Sequence, residues 1–65
     1  MTAYVPTYDH GRKITAIDTN KARRLSDNSI LYNGRIYGGD AFTTHEAAAR
    51  YWQRERIDRS EYAAI

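Results

Sequence analysis

Asp40, His45 and Glu46 are the residues best suited by type to proton transfer, and they fall within one short stretch. A general acid–base pair needs a cleft and pKa values tuned by its surroundings. A plainer reading exists. Glu46 follows Thr43 at the spacing of a capping box, and Asp40 precedes a helix start, where negative charge is favourable. Gly34, Gly38 and Gly39 also precede that helix, a pattern superficially like an anion cradle. Their spacing fits neither the Walker nor the dinucleotide fingerprint. There is no cysteine, and the two histidines, His10 and His45, stand far apart. No catalytic residue, metal ligand set or cofactor is expected from this pattern.

Binding chemistry is better represented. Lys21, Arg23 and Arg24 form a basic cluster suited to phosphates or to an acidic protein surface. Three basic residues are few beside the roughly six to ten phosphate contacts that high-affinity binders make. Arg50, Arg54, Arg56 and Arg59 look like a second cluster, but Glu46, Arg50, Arg54 and Asp58 step by four. That spacing predicts a self-neutralised helix face. The third group is Ile30, Tyr32, Arg35 and Tyr37, two short runs around Asn33-Gly34. Tyrosine and arginine are enriched in interface hot spots, and tyrosines can also stack on bases.

Composition bounds the roles these groups can play. The chain has 65 residues, a net charge of +2, and 42% hydrophobic residues, with six Tyr, one Trp and one Phe among them. A domain this small has a marginal core. Basic residues dominate the first part: Arg12, Lys13, Lys21, Arg23, Arg24 and Arg35 against Asp9, Asp18 and Asp27. No apolar run is long enough for a membrane span. The residues Met1 to Pro6 lack the pattern of a signal peptide. A soluble, cytoplasmic protein is expected, and cysteine-free composition suits that compartment.

Several elements must position these side chains. Asn33-Gly34 is a strong signal for a two-residue type I′ hairpin. It sets Tyr32 opposite Arg35, Leu31 opposite Ile36 and Ile30 opposite Tyr37, with Leu31 and Ile36 on one face and the other four on the opposite face. Thr43 and Glu46 predict a capped helix over Thr44 to about Ile57, with Ala47, Ala48, Tyr51 and Trp52 as its apolar stripe. Arg12–Ile17 reads as a short β-branched strand. Lys21–Leu25 reads as a loop with at most one helical turn. Residues 1–11 and 58–65 read as flexible termini of a single small domain.

The predicted class is α+β: a small antiparallel sheet, built from the hairpin and Arg12–Ile17 as a third strand, covered on one face by a single C-terminal helix. The two hairpin faces compete for the core. Leu31 and Ile36 are purely aliphatic, while Arg35 would need a partner if buried. This favours Leu31 and Ile36 beneath Ala48 and Trp52, with Ile30, Tyr32, Arg35 and Tyr37 facing outward.

A short, cysteine-free, mildly basic chain with a Tyr- and Arg-bearing hairpin and one helix resembles small phage-encoded proteins that take over host functions. Several of those bind host RNA polymerase or another host machine and block or redirect it. The resemblance implies a protein-binding transcription regulator without catalytic activity. The residues themselves point to the hairpin face, with Ile30, Tyr32, Arg35 and Tyr37, as the docking surface, steered by Lys21, Arg23 and Arg24. The alternative is a nucleic-acid-binding protein using Lys21, Arg23, Arg24 and the hairpin tyrosines. A helper subunit that folds as a homo-oligomer, and an enzyme whose motif is not visible, complete the range.

Overall fold

In the computed structural model, which describes residues 1–65, the segment Thr2–Thr7 is a strand, β1, paired antiparallel with β2, Lys13–Asp18. The reversal between them uses His10 at φ 54° and Gly11 at φ 109°. The expected irregular N-terminal arm is therefore a strand, and its side chains show why. Ala3 and Val5 are completely buried, and Ala3 sits opposite the buried Ile17. Tyr4, between them, packs on the other face with Phe42, Ala47 and Ala48. A strand covered on both faces loses the alternation that marks a half-buried strand.

The Asn33-Gly34 turn forms as the sequence predicts, with Asn33 at φ 50° and Gly34 at φ 76°. It joins β4, Ile30–Tyr32, to β5, Arg35–Tyr37, in the predicted register. The third strand of this sheet is β3, Arg23–Arg24, lying against β4. It is not Arg12–Ile17, which pairs with β1 instead. The fold is α+β, with two antiparallel sheets of two and three strands and one helix.

The helix is shorter than predicted. α1 spans His45–Arg50 and runs into a 3-10 turn at Tyr51–Gln53. Arg54, in the left-handed region at φ 58°, ends it. The chain then doubles back, so that the amide of Ala63 donates to the carbonyl of Ala41 and the amide of Thr43 to that of Glu61. These bonds place Tyr62 beside Phe42, and Phe42 beside Tyr4. Residues 58–65 are thus stitched along the edge of the first sheet. The cap also differs by one residue. Thr44 accepts the amide of Ala47 at 3.1 Å. Thr43 is engaged with the carbonyl of Glu61 through its own amide at 2.8 Å. Arg50 pairs with Glu61 of the returning segment, so the predicted ladder of charges along the helix does not form.

The layers follow. α1 packs on one face of the β1–β2 pair, beside Tyr4, Ile14 and Ile57. The three-stranded sheet packs on the other, where Ala3, Val5 and Ile17 meet Ile30, Tyr32 and Tyr37. This reverses the predicted choice of hairpin face. Ile30 is fully buried, Tyr32 and Tyr37 are half-buried against the core, and Ile36 is 64% exposed. The small side chains Ala3 and Val5 leave room for the tyrosine rings, whose hydroxyl tips need not be buried with them.

Candidate functional site

Seven residues were candidates for partner binding, and the fold separates them. Ile30 belongs to the core. Tyr32 and Tyr37 are partly buried against it. Arg35, on the same strand face, escapes burial by reaching Asp9: its Nη2 donates to Oδ2 at 2.9 Å. Its guanidinium also lies 5.3 Å from the centre of the Tyr37 ring. The basic cluster is on β3 and the turn before it, on the opposite side of β4 from β5. Within it, Arg24 is structural. Its Nη1 donates to the carbonyl of Asn28 at 2.8 Å and to that of Gly39 at 2.6 Å. Lys21 and Arg23 are exposed.

What the fold builds instead is an open groove beside β5. One wall is Pro6, Thr7, Tyr8 and Asp9, at the end of β1. The other is Arg35, Ile36, Tyr37 and Gly38, with Tyr51 also contributing. Its volume is about 400 Å³, within the roughly 300–1,000 Å³ typical of ligand sites. Four consecutive residues line each wall. One wall leaves β1 after Thr7, and the other contains the whole of β5.

The groove is aromatic and bordered by cations. Tyr8 is 69% exposed and meets Trp52 edge to face, with ring centres 6.0 Å apart. The Arg12 guanidinium lies 5.8 Å from the Trp52 ring centre on the same flank. Lys13 pairs with Thr7 across the β1–β2 ladder. The hydrogen bond from Arg35, and then its charge, hold the Asp9 carboxyl below the usual carboxylate range, and Lys13 adds to this. The same bond raises the pKa of Arg35. Asp9 therefore stays ionised and committed to Arg35, which keeps further guanidinium N–H groups for another acceptor.

Trp52, expected over Leu31 and Ile36, lies beside Tyr8 and Arg12. Of the groove residues, Tyr8, Asp9, Ile36 and Tyr51 were not anticipated as binding residues. Pro6 held a usable signal, because proline inside a strand marks an edge. The proton-transfer candidates line none of the hollows of the surface. Asp40, His45 and Glu46 are all exposed, and His45 packs edge-on against Tyr4 with centres 6.0 Å apart. No three His, Asp or Glu side chains converge as a metal-ligand group. Other hollows, one beside Arg56–Arg59 and one beside Tyr62–Ala64, are each lined by residues of one short stretch of the chain. No helix is long and apolar enough to cross a membrane.

No protein-family model matches the chain, and neither a curated protein nor a solved structure is significantly similar to it.

Proposed function

We propose that this chain is a non-enzymatic binding module that docks a partner protein through the groove between β1 and β5 and acts by occluding the surface it covers. The single observation that supports this most is the conjunction of Tyr8, Arg35, Ile36 and Tyr51 around one recess, with Ile36 64% exposed. Exposed aromatic and aliphatic groups beside an arginine are the composition of an interface centre. The proposal keeps Arg35 and Tyr37 from the sequence reading, replaces Ile30 and Tyr32 with Tyr8, Ile36 and Tyr51, and reduces the steering residues to Lys21 and Arg23. The partner class proposed is a host machine such as RNA polymerase, which places the protein in the cytoplasm as a transcription regulator.

Nucleic-acid binding is the weaker reading. Arg24 is occupied by the carbonyls of Asn28 and Gly39. Lys21 and Arg23 alone fall well short of the roughly six to ten phosphate contacts of a strong binder.

The test is partner capture by the tagged protein, using purified host RNA polymerase and, in parallel, host lysate. Tyr8→Ala combined with Ile36→Ala should reduce recovery of the bound protein about tenfold or more, the effect of losing a hot spot, while the melting temperature stays near that of the parent. Equal capture by a folded double variant would refute the groove as the docking face. A mobility shift of nucleic acid at low salt, unaffected by that double variant, would favour the second reading.

A further inference from the structure

Both walls of the groove are strand edges with unpaired backbone groups. Tyr32 and Arg35 flank the two-residue turn, so they and the Ile30–Tyr37 pair exchange the hydrogen bonds of the hairpin. The N–H and C=O of Ile36 therefore point away from β4. On the other wall, Tyr4 bonds to Phe42 in both directions, at 2.8 and 2.9 Å. By the same alternation, the C=O of Pro6 and the N–H of Tyr8 point away from β2. The chain between β5 and Phe42 diverges before it can pair with them, and Pro6 has no N–H to leave unsatisfied.

We propose that an extended, acidic peptide segment of the partner adds to the edge of β5 as a further strand, bonded to the N–H and C=O of Ile36, with a carboxylate received by Arg35. This rests on the reading of the groove as a protein-binding face and specifies how it binds. Strand addition draws affinity from main-chain bonds and selectivity from alternate side chains. Charge selects the occupant. Arg35 and Asp9 are the charged residues of the groove lining, Lys13 lies close enough to act on Asp9, and Arg12 sits over Trp52 on the flank beyond Tyr8, so the balance around the groove is positive. A second copy paired edge to edge would bring a surround of the same sign to this edge, which is unfavourable. An acidic strand meets no such opposition, and its carboxylate finds guanidinium donors that Asp9 leaves free.

The experiment is a titration of the isotope-labelled protein with a capped hexapeptide of alternating Glu and Val, followed residue by residue by NMR. A Lys–Val hexapeptide is the control. The Glu–Val peptide should shift the resonances of Tyr8, Arg35 and Ile36 and slow amide exchange at Ile36 about tenfold or more at saturation. The Lys–Val peptide should do neither. Ile36→Pro removes the edge donor and should weaken binding about tenfold. The exchange measurement on the parent protein decides the question even where the proline variant fails to fold. Shifts at Tyr8 and Tyr51 without protection of Ile36 would overturn strand addition while leaving a side-chain docking face intact. Absence of any shift in the groove would overturn it too, leaving partner capture by the Tyr8 and Ile36 double variant to judge the binding face separately. Protection of Ile36 that grows with protein concentration, without peptide, would assign the edge to a second copy instead.

Discussion

β1 and β5 have opposite surroundings. β1 is covered by α1 on one face and by the three-stranded sheet on the other, and its edges are paired with β2 and, through Tyr4, with Phe42. β5 is paired on one edge only, covers the core with Tyr37, and turns Ile36 outward. The first arrangement secures a small core without a disulfide. The second leaves backbone and apolar groups open to another chain. Native proteins usually protect exposed edges by keeping them short or charged. β5 has three residues and begins with Arg35, both features that discourage general edge-to-edge aggregation.

The largest expected contrast is in stability. Phe42 is completely buried, between Tyr4 and Tyr62 in the sheet and beside Ala47 and Ala48. Phe42→Ala should cost about 3–5 kcal/mol, a large part of the stability of so small a domain. Ile36→Ala should stay within about 0.5 kcal/mol of the parent. Denaturant unfolding of both variants checks the pair of values. Comparable losses would mean that Ile36 packs as Phe42 does, and the distinction between the two regions would disappear.

A smaller effect concerns the Asp9–Arg35 pair, which ties the end of β1 to β5. The carboxyl of Asp9 titrates below its usual 3.8 because Arg35 donates to it. Its contribution is therefore fully present above that value and is lost as pH falls through the lower, folded value. Asp27 and Asp58 are depressed in the same direction, through Ser29 and Ser60, so acid weakens the turns before β4 and before Tyr62 in the same window. Carboxyl NMR should show Asp9 titrating at higher pH in Arg35→Gln than in the parent. An unchanged titration would mean that Arg35 does not hold the two regions together. The pair is exposed, and such pairs add little to global stability; the expected consequence is a looser groove rather than an unfolded domain.

The parts of this fold legible in the sequence are those set by neighbours in the chain. Asn33-Gly34 specifies a turn with two positive φ values, and the register of β4 and β5 follows from it. Arg12–Ile17 is visible through its β-branched residues, and the helix start through its polar threonines, to within one residue. The remainder depends on distant partners. β1 reads as irregular because both its faces are buried and Pro6 interrupts it. β3 is two residues long and forms only because Leu31 and Ile30 lie opposite. The helix stops early at the left-handed Arg54, after which the chain returns to pair Tyr62 with Phe42. The buried hairpin face is not legible locally because Arg35 needs a partner, and that partner, Asp9, is 26 residues away. The candidate site shares this limit. Its arginine and one tyrosine were visible in the hairpin, but Tyr8, Ile36 and Tyr51 meet only when both sheets are in place.

Residue-resolved amide exchange of the free protein tests the contrast between β1 and β5 most directly. The amide of Tyr4, bonded to the carbonyl of Phe42, should exchange only through global unfolding. The amide of Ile36 should exchange close to the rate of an unstructured peptide, while its neighbours Arg35 and Tyr37 are slower. Slow exchange at Ile36 in dilute protein would mean that the edge is already covered, and fast exchange at Tyr4 would mean that β1 is not held in the core. Either result would contradict the account.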